Sequence, residues 1–199
     1  MLTLYHAPQS RSGSIVWLLE ELGASYELKF VDIGGAGGAP EEYRAIHPHK
    51  KVPAVVHDGV TITERAAICA YLADVFPGAG LAPPIGDRRR GPYLSWLVYN
   101  DAVIDPVLGA KFLGWQYDKR GVSFGAFDDM VENLERTLSR TPYLTGDDFT
   151  AADLLVAGDV NIAVRFTKLI PATPAISGFL TRTQSREAFK RAMVKGRAR

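Results

Sequence analysis

The sequence predicts two domains of unlike class, an α/β domain followed by an all-helical one. Three observations lead there. A strand–helix–strand order fills the first 30 residues, Asp58-Gly59 sits between two β-branched runs, and strand patterns cease beyond a Pro/Gly-rich stretch at residues 76–84. The expected boundaries are 1–78 for the first domain, 79–87 for a linker and 88–199 for the helical domain.

Leu2 and Leu4 alternate with Thr3, a short strand over Leu2–Tyr5. A loop, Ala7 to Ser14, offers several N-cap residues. Ile15, Leu18, Leu19 and Leu22 recur at i, i+3, i+4, i+7, an amphipathic helix that Gly23 ends. Tyr26, Leu28 and Phe30 alternate as a second strand, which completes a βαβ unit with parallel strands. Residues 34–40 hold four glycines and a proline, too many for regular structure. No Lys-Ser/Thr follows them, so they are not read as a phosphate loop. Val52–His57 and Val60–Thr63 form a hairpin about Asp58-Gly59. Thr63 is expected to cap the next helix, with Ile68, Tyr71, Leu72 and Val75 as its buried stripe. β-α-β followed by β-β-α is the order of a thioredoxin-like fold.

Past the linker, residues 88 to about 115 read as one long helix carrying Tyr93, Trp96 and Tyr99, with a kink expected at Pro106. Phe127, Met130, Val131, Leu134 and Leu138 mark another helix. Thr150-Ala151-Ala152-Asp153 is a capping box, and the helix it opens is apolar nearly all round, as a central buried helix should be. Pro174 and Ser185 suggest two last short helices, and the basic tail from Lys195 to Arg199 is expected to fray.

Composition narrows the function. The chain has 199 residues, 47% hydrophobic and 23% charged, so a sizeable core is expected rather than disorder. The net charge of +1 gives no bulk attraction to nucleic acid or anionic membranes. Arg88-Arg89-Arg90 reads as a solvated helix start. No stretch approaches the roughly 20 apolar residues of a membrane span, and no signal peptide is visible, so a reducing cytoplasmic setting is expected. Cys69 stands alone, next to Ile68 on a helix, and reads as inert packing. With no Cys-x-x-Cys and no cysteine in the first loop, a disulfide oxidoreductase or a cysteine nucleophile is disfavoured. His47 and His49 have no carboxylate or thiol at metal-binding spacing, so no metal is expected.

Four segments resemble one family. Leu2-Thr3-Leu4-Tyr5…Ser10-Arg11-Ser12…Trp17-Leu18-Leu19-Glu20-Glu21-Leu22-Gly23 resembles the opening of bacterial and fungal glutathione transferases. His47-Pro48-His49-Lys50-Lys51-Val52-Pro53-Ala54-Val55 resembles their Asn-Pro-x-Gly-Lys-Val-Pro-x-Leu segment. Thr63-Glu64-Arg65-Ala66-Ala67-Ile68-Cys69-Ala70-Tyr71-Leu72 resembles their Glu-Ser-x-x-Ile-x-x-Tyr-Leu, and Thr150–Asp153 matches their C-terminal capping box.

The resemblance implies a site for glutathione. A free thiol titrates near 8.5, so attack on an electrophile needs the thiolate stabilised. A hydroxyl at the positive end of the first helix does that, and the family pattern puts Ser10 first, Ser12 second and Tyr5 third. Arg11, Lys51, Val52, Pro53, Glu64 and Arg65 are implied as glutathione contacts, with the Val52–Pro53 bond cis and Lys51 a point charge for the glycyl carboxylate. Arg65 stands where the family usually has Ser, His47 where it has Asn, and Lys50 where it has Gly. A co-substrate pocket between the domains would be lined by Trp96, Tyr99, Asn100 and Val103. The implied activity is glutathione transfer to a small hydrophobic electrophile by a homodimer, with no metal or further cofactor. The alternatives are a non-catalytic glutathione transferase-like binding protein, to which Arg65 points, and a glutathione-dependent peroxidase or dehalogenase.

Overall fold

The computed structural model describes residues 1–197. The chain divides into two compact units, Met1–Ala79 together with the chain from Arg186 onward, and Gly80–Ser185.

In the first unit a four-stranded sheet has the order β2-β1-β3-β4, with β1 Leu2–His6, β2 Glu27–Phe30, β3 Ala54–His57 and β4 Val60–Ile62. β1 and β2 are parallel, while β3 runs antiparallel to both β1 and β4. Asp58 and Gly59 both take positive φ, 49° and 85°, as a two-residue hairpin turn of matching twist requires. Helix α1, Gly13–Leu22, buries Ile15, Val16, Leu18 and Leu19 and closes on Gly23 at φ 62°.

Helix α2, Arg65–Val75, departs from expectation. Its buried stripe is Arg65, Ile68, Cys69, Leu72 and Ala73, and its N-cap is Glu64, not Thr63. Tyr71 and Val75 lie at the surface, where the Tyr71 hydroxyl meets His57 Nδ1 at 2.9 Å. Ile68, Cys69 and Leu72 satisfy the 3.6-residue period as well as the expected set does, and Tyr71, by facing out, finds a partner for its hydroxyl in His57.

The second unit is helical. Helix α3, Arg90–Tyr99, runs through a π-helical segment, Asn100–Ile104, into α4, Asp105–Leu113. The single long helix expected there is thus divided just before Pro106, whose missing N–H breaks the regular ladder. Helix α5 spans Phe127–Leu138 and α6 spans Ala151–Asn161, continued by a π-helical turn over Ile162–Phe166. The capping box is formed: Asp153 Oδ2 accepts from the Thr150 N–H at 2.8 Å and from its hydroxyl at 2.9 Å. Asp153 Oδ1 also takes the Leu144 N–H at 2.8 Å. Helix α7 is Pro174–Gln184.

Helix α8, Glu187–Lys195, belongs to the first unit, not to the helical domain in which the sequence reading placed it. It lies on α1, with Phe189 edge-on to Trp17 at 4.9 Å. Arg186 pairs with Glu21 at 2.6 Å, while Arg191 and Lys195 reach the buried Glu20 at 2.9 and 2.6 Å. Lys195 and Gly196 are therefore tied down rather than frayed; Ala198 and Arg199 lie outside the described residues.

Candidate functional site

Strand directions decide what meets at one end of the sheet. β1 and β2 both point their carboxyl ends there, with His6 opposite Phe30. Tyr5 pairs with Ala54, so Val52 and Pro53 enter β3 where β1 leaves it. Ile62 pairs with Val55, so Glu64 and Arg65 emerge from β4 on the same side. The Ser10 loop, Val52–Pro53 and the start of α2 are thereby gathered by topology alone, at the sheet end where open α/β folds bind ligands.

The Ser10 loop is internally bonded. Ser12 is fully buried, and its Oγ lies 2.7 Å from His6 Nδ1, 2.6 Å from Ser10 Oγ and 3.1 Å from the Ala7 N–H that donates to it. Ser10 is half-buried, with its hydroxyl also 2.7 Å from the Ala7 carbonyl. Of the two serines, only Ser10 keeps a face for a ligand.

Tyr5 lies on the opposite face of β1 from His6, by strand alternation. Its ring sits 5.6 Å from that of Tyr43, within a cluster of Val31, Ala39, Tyr43, Ile46 and Val52. The structure does not bring it into the serine group.

The Val52–Pro53 peptide is cis. Tyr43 supports this segment, donating its hydroxyl to the Lys51 carbonyl at 3.1 Å. Glu64 holds φ 64°, ψ 124°, a conformation that non-glycine residues adopt only where surrounding structure imposes it, and which concentrates at ligand sites. Arg65 is 5% exposed, the first helical residue of α2, and so is folded into the unit instead of standing in solvent. Lys51 and Arg11 are exposed. His47 is buried, its Nδ1 accepting the His49 N–H at 3.2 Å; burial lowers its pKa, against the pull of nearby Glu64. Lys50 carries the positive φ, 53°, of a position at which the family pattern has Gly, and reaches the Gly37 carbonyl at 3.0 Å and Glu41 at 3.2 Å.

A cavity of about 400 Å³ opens at the same sheet end, lined by Ala7, Pro8 and residues 30–34. It lies on the β2 side of β1, whereas Pro53 and Glu64 lie on the β3 side. Among the described residues no three His, Cys, Asp or Glu side chains come together as metal ligands. No helix among them is long and apolar enough to cross a membrane.

In the second unit Trp96 and Val103 are half-buried, and Trp96 stands edge-on to Tyr99 at 5.2 Å. Asn100 is sealed in the core, its amide donating to Asp159 and Asp101 at 3.0 Å each, so it braces α6 and does not line a pocket. Sequence reasoning passed over His6. The signal was there: Leu2, Leu4 and His6 share one parity of the strand, and an inward-facing histidine needs partners for both ring nitrogens.

Residues 1–74 match the glutathione S-transferase N-terminal domain. The chain is 29% identical to the disulfide-bond oxidoreductase YfcG of Escherichia coli K12, over 98% of this chain and 95% of that protein. It is 31% identical to glutathione S-transferase 3 of Schizosaccharomyces pombe, over 77% of this chain and 70% of that one. Among solved structures, a sphingomonad glutathione S-transferase complexed with glutathione superposes with a TM-score of 0.82 at 26% identity, over 98% of this chain and all of the other. With its thioredoxin-like sheet unit and helical unit in that order, the chain belongs to the glutathione S-transferase family.

Proposed function

We propose that this chain binds glutathione and activates its thiol for attack on a small hydrophobic electrophile. The observation that carries the reading is the half-exposed Ser10 hydroxyl at the entrance to α1, at the sheet end shared with cis-Pro53 and the strained Glu64. Ser10 serves the sulfur. Ser12 backs Ser10 from within, and Tyr5 has a packing role. The backbone at Val52 meets the cysteinyl part, Lys51 and Arg11 the carboxylates, and Glu64 the α-ammonium group. Arg65 stabilises the γ-glutamyl end from its buried position at the head of α2. The second substrate is met by Trp96, Tyr99 and Val103. We extend the proposal to a homodimer in a reducing cytoplasm.

Retention on immobilised glutathione, followed by titration of the bound thiol through its ultraviolet thiolate absorbance, tests this. A bound thiol with the pKa of the free one defeats the activation claim. No retention by the wild type, but retention by Arg65→Ser, favours a binding protein whose pocket the arginine fills.

A second reading has one support: the relative named a disulfide-bond oxidoreductase aligns over 98% of this chain. Cys69, fully buried, cannot reach a substrate disulfide, so the attacking sulfur would again be glutathione's. A substrate panel of aryl and alkyl halides, peroxides and small disulfides separates these reactions.

A further inference from the structure

Parts of the first unit that are far apart in sequence converge behind Ser10. Ser10 donates its hydroxyl to the Ala7 carbonyl at 2.7 Å and accepts the Ser12 N–H at 3.2 Å. To serve a sulfur, the hydroxyl hydrogen has to turn away from the Ala7 carbonyl while the oxygen stays in place. The Ser12 N–H keeps it there, so the aim of Ser10 depends on where Ser12 and Ala7 stand.

Ser12 is fixed in its turn. Its Oγ takes the Ala7 N–H at 3.1 Å and lies 2.7 Å from His6 Nδ1. His6 continues inward: its Nε2 is 2.9 Å from the Gly196 carbonyl, and its ring stands edge-on to Phe30 at 5.9 Å. A carbonyl oxygen only accepts, so Nε2 carries the one proton of the neutral ring and Nδ1 accepts from Ser12. Burial lowers the His6 pKa and so keeps the ring neutral. The ring is no base here; it is a strut between two hydrogen bonds. Its main chain is held too, because the Val31 N–H donates to the His6 carbonyl at 2.8 Å.

The far end of the strut comes from the segment after α8. The Gly196 N–H donates to the Ala192 carbonyl at 2.8 Å, and Arg191 and Lys195 anchor α8 on Glu20 at 2.9 and 2.6 Å. The fit is close: a Cβ on Gly196 would stand 3.6 Å from His6 Nε2 and 3.1 Å from the Ala192 carbonyl.

We propose that His6 and Gly196 are positioning residues for Ser10: the segment after α8 sets, through the His6 ring and Ser12, the place from which Ser10 meets the glutathione sulfur. This rests on the glutathione reading of the site. Neither residue touches the ligand, and neither gains or loses a proton. Pro53 and Glu64 lie on the β3 side of β1, so the strut bears on the sulfur and not on the grip of the tripeptide.

The test is the pKa of the bound thiol, from its ultraviolet thiolate band, read beside kcat, KM for glutathione and Tm in full-length variants. His6→Asn keeps an acceptor for Ser12 but falls short of Gly196. It is expected to raise the bound thiol pKa by about 0.5, a loss of about threefold in kcat at neutral pH, with KM for glutathione unchanged. Gly196→Ala crowds the same tether from its other end and is expected to shift the thiol in the same direction. Combined, the two should do no more than His6→Asn alone, since the second change has no link left to act through. An unchanged thiol pKa in His6→Asn, shifts that add in the double variant, or a raised KM for glutathione with kcat intact overturns the proposal. Should His6→Asn fail to fold, Gly196→Ala decides by the same readout, an unchanged thiol pKa again overturning it. Failure of the wild type to bind glutathione overturns the reading beneath it as well.

Discussion

Ser10 and Ser12 are two residues apart and differ in what their loss should do. A hydrogen bond to a charged group is worth about 1.5–3 kcal/mol, which is one to two pKa units on a bound thiol. Ser10→Ala is therefore expected to lower kcat/KM at neutral pH by about 10- to 100-fold with little change in Tm. Ser12→Ala instead leaves the buried Ala7 N–H and His6 Nδ1 without their partner, and should cost about 1–3 kcal/mol of stability, read by urea denaturation. If Ser12→Ala were silent in both stability and thiol pKa, the buried hub would have no role. Lys50 offers a third contrast. A left-handed backbone costs a non-glycine residue about 1–2 kcal/mol, so Lys50→Gly should relieve strain while giving up the contacts to Gly37 and Glu41. The expected outcome is a Tm within a few degrees of wild type and faster amide exchange in residues 34–41.

Helices α1 and α8 are held together by a buried carboxylate. Burial would raise the Glu20 carboxyl, but Lys195, Arg191 and the Tyr26 hydroxyl outweigh it, and its pKa falls below the ordinary 4.5. The sign follows from linkage: a depressed carboxyl pKa stabilises the fold above the unfolded value, and that contribution is lost as pH falls through the folded one. Acid should thus loosen α8 below about pH 4.5, visible as a change in Trp17 fluorescence when Phe189 leaves its ring, and Glu20→Gln should flatten this dependence. Much of the element order was readable beforehand because periodicity, Gly23, Asp58-Gly59 and the Thr150 capping box are local signals. The α2 stripe was not, since Ile68-Cys69 and Tyr71-Leu72 offer two faces of similar apolarity and only the packed unit chooses. Nor was α8's allegiance, which depends on Glu20 and Glu21, more than 160 residues away in the chain. At the site, the family pattern pointed to the two serines and the cis proline, while His6 has meaning only beside a carbonyl supplied by the far end of the chain.

Because the first unit draws on both ends of the sequence, a chain stopped before Arg186 should damage the sheet unit more than the helical one. It would strip the buried Glu20 of Arg191 and Lys195; because both cations are about half exposed, solvent screening keeps the loss below the about 3–5 kcal/mol typical of a fully buried pair. The expected result is proteolysis within residues 1–79 while Gly80–Ser185 keeps its protected helices, read by limited digestion and mass spectrometry. Equal resistance in both units would show that α8 is an accessory.

The tether between Gly196 and His6 carries a consequence for the newborn protein. On the ribosome the helical unit is fully translated before the residues that finish its predecessor have been made. Until residues 186–196 leave the exit tunnel, the His6 imidazole has no carbonyl to set its tautomer and Glu20 has no cationic partners. The first unit is thus completed only after the helical one has been made, so a chain interrupted before Arg186 would hold an unfinished sheet unit beside a finished helical one.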